Sequence, residues 1–124
     1  MNKTILFDLD GTLTDSGEGI ITCASLALEH FDLAKYFDGI CGATLDGSRS
    51  TKEDVIEYLI RENGRASHML MVGDTVYDIL GAKAHGIPAI GVDWGYGETE
   101  DMINAGAAAI AYDPLQLLER LMTL

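Results

Sequence analysis

Apolar positions along the chain fall in short runs, each stopped by glycine, proline or small polar residues. The stretches Thr4 to Phe7, His68 to Val72, Ile87 to Val92 and Ala109 to Tyr112 are such runs, and they read as short, largely buried strands. Ile40 to Thr44 is a weaker strand candidate because of its internal glycine. Between the runs the period changes to that of a helix. Ile20, Cys23, Ala24, Ala27, Leu28 and Phe31 share one face of a predicted helix. Ser50 or Thr51, with Glu53 or Asp54 three residues on, caps a second helix. It turns Val55, Ile56, Leu59 and Ile60 to one side and stops at Asn63-Gly64. A third spans Tyr77 to His85 with Ile79, Leu80 and Ala84 inward; a fourth runs from Glu98 or Thr99 to Gly106. Pro114 opens the last, through Met122. Alternating strands and helices predict a single α/β domain over 1–124, a Rossmann-like, doubly wound parallel sheet.

Composition narrows the partners. The chain has 124 residues and a formal charge of -12, with no basic stripe to neutralise a phosphate backbone. Nucleic acid and anionic membranes are therefore poor partners, and a small phosphorylated ligand needs a cation or a helix N-terminus to offset the field. Cys23 and Cys41 lack metal-ligand spacing and read as reduced thiols, with a disulfide as the alternative. The start, Met1 to Thr4, passes directly into a short strand, which predicts no signal peptide and a cytoplasmic protein.

The chemistry gathers where strands end. Asp8 and Asp10 lie two apart, so they share one face as the first strand runs out, beside the crevice where open α/β sheets bind ligands. Helix capping is the plainer use of such a pair. Asp74 ends the second strand in the same way, and Asp78 falls in the first turn of the next helix, where acids also suit the dipole. If the two strands are neighbours, the carboxylates crowd together and call for a hard divalent cation; Mg²⁺ suits a phosphate site. Lys52 begins a helix, where a cation opposes the dipole, so an ion-pairing or phosphoryl-binding role fits it better than a solvated one. Arg49 is a weaker candidate, Lys83 faces solvent, and His30, His68 and His85 read as structural.

The order Asp8-Leu9-Asp10-Gly11-Thr12, then Lys52, then Gly73-Asp74-Thr75-Val76-Tyr77-Asp78 resembles the haloacid dehalogenase superfamily of hydrolases. Asp15-Ser16 and the run from Gly81 to Gly97 are similar to its phosphoglycolate phosphatase-like branch. The resemblance implies a phosphomonoester phosphatase in which Asp8 is the nucleophile and Asp10 the general acid and base. It implies Mg²⁺ held by Asp8, Asp10 and Asp74, with Asp78 in support. Lys52, Leu9, Thr12 and Thr44 are the implied phosphate-binding set, and a small phosphorylated metabolite the implied partner. Thr44 enters as a stand-in, because the stretch from Gly17 to Lys52 is too short for the branch's helical cap and for its second motif. The expectation is a capless core lacking one strand, by internal deletion, with Ile40 to Thr44 beside the first strand in the order 3-1-4-5-6. Failing that, an exposed strand edge invites dimerisation, so monomer and homodimer both stay open. Weak, unselective turnover is expected; a Mg²⁺- and phosphate-binding structural module and a receiver-type phosphoacceptor are the competing readings.

Overall fold

In the computed structural model of the chain, residues 3–8 and 51–124 are described. The helix over 20–31, the strand over 40–44, both cysteines, and Leu9, Asp10, Thr12 and Thr44 lie outside them. Among the described residues, four strands form one parallel sheet in the order β1-β2-β3-β4. They are β1 (Lys3–Phe7), β2 (His68–Gly73), β3 (Ala89–Val92) and β4 (Ala109–Ala111). The register pairs Phe7 with Val72, Val72 with Ile90, and Gly91 with Ile110. Neighbouring parallel strands need a crossover, here supplied by helices α1 (Lys52–Asn63), α2 (Val76–Ala84) and α3 (Thr99–Ala105), with α4 (Pro114–Thr123) closing the chain.

Strands β2 and β3 are buried on both faces, as their unbroken apolar runs require. On one side Met69, Met71 and Ala89 meet Ile56 of α1, Ile79 and Ala82 of α2, and Met102 of α3. On the other, Val72, Ile90, Val92 and Ala111 meet Leu117 of α4, with Ile5, Phe7 and Leu121 at the margin. This is the doubly wound arrangement. Each fully buried branched side chain contributes about 1.5–3 kcal/mol, so these two layers dominate the stability.

Three expectations need correction. Strand β1 is half-buried rather than buried; among the described residues it pairs only with β2. On α2 the inward side chains are Asp78, Ile79 and Ala82, while Leu80 and Ala84 are exposed. The helix is rotated toward its acidic first turn because Asp78 itself is drawn inside. Pairing in β3 starts at Ala89, although the Pro88 carbonyl accepts from Met71 N at 2.9 Å and Ile87 is buried. The caps follow the sequence closely. Thr51 and Asp54 form the capping box of α1, Gly64 ends it at φ 80°, and Gly106 ends α3 in the left-handed region.

Candidate active site

Because the strands are parallel, their carboxyl ends lie along one edge of the sheet. Asp8 leaves β1 there, its N–H still donating to Val72 O at 2.9 Å, and Asp74 leaves the adjoining β2. Strand adjacency therefore brings together two acids that are 66 positions apart in the chain. Asp78 joins them from the first turn of α2: carboxylate oxygens of Asp8, Asp74 and Asp78 all lie within 4.8 Å of one another. Asp74 and Asp78 are each only 1% exposed.

Lys52 supplies the positive charge. As the first residue of α1 it reaches across to Asp8 Oδ1 at 2.8 Å and to Asp78 Oδ1 at 3.0 Å. The contact to Asp8 is a hydrogen bond; that to Asp78 is an ion pair without hydrogen-bond geometry. The lysine stem is seated on α2. A methyl at Gly81 would stand 2.9 Å from Lys52 Cγ and 3.0 Å from Cβ, so glycine permits the close approach of the two helices. His85, at the far end of α2, places Nε2 3.0 Å from the Glu53 carbonyl in the first turn of α1.

Asp78 has a distinct duty. Its Oδ2 accepts from Asp74 N at 3.1 Å, from Thr75 N at 3.2 Å and from the Thr75 hydroxyl at 3.2 Å. The carboxylate thus folds the turn between β2 and α2 while its other oxygen faces Lys52. Gly73 allows this, since a side chain there would collide with Asp78. Asp74 in turn accepts from Tyr96 N at Oδ2, 2.9 Å away, and its carbonyl accepts from Gly97 N at 3.0 Å. Methyl groups at Gly95 or Gly97 would overlap Asp74, so the Trp94–Gly97 loop wraps it only because these positions are glycines. Tyr96, Thr75 and His85 were not singled out from sequence as site residues. Backbone donors carry no side-chain signature; two glycines one residue apart after a strand were the available hint of a close approach.

The electrostatics are strained in the acid direction. Burial pushes the Asp8 carboxyl up to about 6, helped by the adjacent Asp74 and opposed by Lys52. Burial also raises Asp78, again against the pull of Lys52. Burial opposes the Lys52 charge, yet the Asp78 and then the Asp8 carboxylates outweigh it and hold its pKa above the usual lysine value. Three crowded carboxylates face one ammonium, an all-oxygen donor set with excess negative charge. That set fits a hard dication such as Mg²⁺. Among the described residues no helix is long and apolar enough to cross a membrane.

Comparison with known proteins points to a single family. Residues 24–92 match the family model of the haloacid dehalogenase-like hydrolases. The chain is 40% identical over 74 residues to a 5'-nucleotidase of Pseudomonas aeruginosa, covering 59% of this chain and 34% of that protein. It is 32% identical over 93 residues to a phosphoglycolate phosphatase of Vibrio parahaemolyticus, covering 74% and 41%. The crystal structure of a predicted phosphatase from Clostridium acetobutylicum superposes with a TM-score of 0.77 at 41% identity, covering 83% of this chain and 50% of the other. The chain spans from a third to a half of the length of these relatives. With a family match over more than half its length, the chain belongs to the haloacid dehalogenase-like hydrolases.

Proposed function

We propose that the chain carries the core of a Mg²⁺-dependent phosphomonoesterase with Asp8 as nucleophile. The observation that carries this is the Asp8–Lys52 pair, 2.8 Å long, standing among Asp74 and Asp78 at the carboxyl edge of the sheet. The phosphatase and nucleotidase names of the relatives support the same class of reaction. In this reading an Asp8 carboxylate oxygen attacks phosphorus as the ester P–O bond breaks, and Asp10 gives its proton to the departing alkoxide. Asp10 then takes a proton from water, whose oxygen displaces the Asp8 oxygen and releases inorganic phosphate. Lys52 neutralises charge on Asp8 and on a phosphoryl oxygen throughout, which is the main demand of phosphoryl transfer. Leu9, Thr12 and Thr44 complete the phosphate-binding set. Asp8, Asp74 and the Asp10 main chain would hold Mg²⁺, which when bound supplies Lewis-acid stabilisation of the phosphoryl charge. Asp78 serves mainly by fixing the turn and Lys52.

The short span between Gly17 and Lys52 supports a single capless core with an open site. Water exclusion is then poor, turnover is weak, and selectivity for phosphoglycolate is small. The direct test is phosphate release with and without Mg²⁺. Asp8→Asn is expected to lower the Mg²⁺-dependent rate by at least about 10³-fold, as loss of a covalent nucleophile does. Retained activity in that variant would overturn the mechanism. Mg²⁺ binding by the unaltered chain with no release from any phosphomonoester would favour the second reading, a phosphate-binding structural module.

A further inference from the structure

Helix α2 carries a buried glycine in its interior, Gly81, where alanine is the more favourable helix residue. That choice has a structural reason. Asp78, Gly81 and His85 are spaced i, i+3 and i+7, so they line one side of α2, and each of them meets the start of α1. Asp78 Oδ1 stands 3.0 Å from Lys52 Nζ, and His85 Nε2 stands 3.0 Å from the Glu53 carbonyl. Between these two contacts lies the bare backbone of Gly81. A methyl there would stand 2.9 Å from Lys52 Cγ, 3.0 Å from Lys52 Cβ and 3.1 Å from Glu53 N. Among the described residues, all three nearest atoms thus belong to the first turn of α1. The lysine stem begins beside Gly81 and its ammonium ends beside Asp78, one turn nearer the α2 N-terminus.

The three contacts differ in how easily they give. Lys52 Cγ could swing aside by rotation about the stem. Lys52 Cβ and Glu53 N could not, because both are fixed to the α1 backbone. A methyl at Gly81 therefore displaces the first turn of α1 itself, by a few tenths of an ångström. That turn is not free to yield without loss elsewhere. His85 holds the Glu53 carbonyl, the Thr51–Asp54 capping box closes the turn, and Ile56 is packed with Ile79 and Ala82 of α2. The displacement is passed along the stem to an ammonium that stands 2.8 Å from Asp8 and 3.0 Å from Asp78.

We propose that Gly81 is a positioning residue for Lys52: the gap it leaves on α2 seats the lysine stem and thereby sets the ammonium against Asp8 and Asp78. Gly81 touches no reacting atom and acts through Lys52 alone. Its effect on rate rests on the phosphatase reading, and the proposal goes beyond that reading by assigning what places the cation.

Two readouts on Gly81→Ala test it. The first needs no activity: the metal-free chain is trace-acetylated with acetic anhydride, and peptide mass spectrometry compares Lys52 with Lys83, which is exposed on the same helix α2. Gly81→Ala is expected to raise Lys52 labelling severalfold relative to Lys83. Leu80→Ala, on the exposed side of α2, should leave the ratio unchanged. The second readout is Mg²⁺-dependent phosphate release, which should fall in Gly81→Ala by about tenfold to 10²-fold, the loss expected of a misplaced charge. Lys52→Gly removes both stem atoms that the methyl would meet, so adding Gly81→Ala to it should cost no further rate. A packing role alone would lower the rate by the same factor in both backgrounds. Unchanged Lys52 labelling in folded Gly81→Ala, or equal factors in the two backgrounds, would overturn the proposal. If Gly81→Ala fails to fold, urea midpoints decide: the double variant folding as well as Lys52→Gly supports the proposal, and its failing too rejects it. Raised labelling with no phosphate release from any chain would sink the phosphatase and leave the positioning role. Full release with unchanged labelling in Gly81→Ala would do the reverse.

Discussion

Two neighbouring loops leave the same edge of the sheet and are built on opposite principles. The turn from Gly73 to Asp78 is closed upon itself: both carboxylates are buried, and Asp78 Oδ2 gathers three donors from within the turn. The loop from Trp94 to Gly97 has exposed rings, and its Tyr96 and Gly97 N–H groups donate to Asp74. The carboxylate that organises the first turn takes its donors from within that turn, whereas the second loop donates outward to Asp74. Charge placement therefore resides in the self-supporting turn, where a low-dielectric setting makes each pair count. The Trp94–Gly97 loop instead exposes its aromatic residues at the rim of the site.

The most severe way to break this dependence is Asp74→Ala. It removes a candidate metal carboxylate and the acceptor of Tyr96 N together. Mg²⁺-dependent phosphate release should fall by about 10²-fold or more, and Trp94 emission should move toward the water-exposed value even without ligand. Unaltered emission in this variant would show that the second loop stands without Asp74. A gentler cut is Gly97→Ala, whose new methyl would meet the Asp74 carbonyl and the Thr75 Cα. Overpacking of this kind costs about 1–3 kcal/mol, readable as a lower urea midpoint, and should weaken Mg²⁺ binding in proportion to the displacement of Asp74.

The crowding in the first turn also predicts a pH dependence. With no metal bound, Asp8 titrates near 6 against an ordinary value of 3.8, and Asp78 is raised as well. Between about pH 4 and 6 the folded chain holds protons that the unfolded chain has released, so metal-free stability is greatest at the acid end and falls as pH rises through about 6. Lys52, raised above 10.5, titrates outside this window. Mg²⁺ needs the deprotonated carboxylates, so its stabilising effect should run the other way. The Mg²⁺-induced rise in Tm is expected to be small at about pH 5 and severalfold larger at about pH 7.5. A rise independent of pH would mean that the buried acids are not the metal's ligands.

Much of this was legible in the sequence, and the failures have physical causes. Strands β2 and β3 were plain because two-sided burial writes an unbroken apolar run. The α1 caps were plain because Thr51 and Asp54 satisfy backbone groups with their own side chains. Asp8 and Asp74 were legible as strand-end acids and Asp78 and Lys52 as first-turn helix residues, all four also by family resemblance; pairing of β1 with β2 and the starts of α1 and α2 bring them together. Leu80 was misplaced because apolarity alone was used to orient α2, whereas the buried Asp78 set its rotation. The hold of Tyr96 N and Gly97 N on Asp74 was invisible because main-chain donors are the same at every residue. The division of labour between Asp74 and Asp78 was invisible too, since it depends on which oxygen meets which donor.

The finest adjustment concerns what holds Lys52 over the first turn. Its ammonium is fixed by Asp8 and Asp78, and its helix is also fastened from behind by His85 on the Glu53 carbonyl. His85→Ala removes one hydrogen bond, about 1 kcal/mol of stability. If that bond sets the position of the first turn of α1, Lys52 moves off Asp8 and relieves less of its burial. The Asp8 carboxyl then titrates higher, and the acid limb of phosphate release shifts to higher pH. Arg61→Ala provides the comparison on the same helix, because it breaks the exposed pair with Glu57, 3.2 Å long. It should cost no more than about 0.5 kcal/mol and leave the acid limb where it was. A loss of stability in His85→Ala with no movement of the limb would mean that the two carboxylates alone keep the lysine in place, making the first turn self-supporting in its charges as well as in its hydrogen bonds.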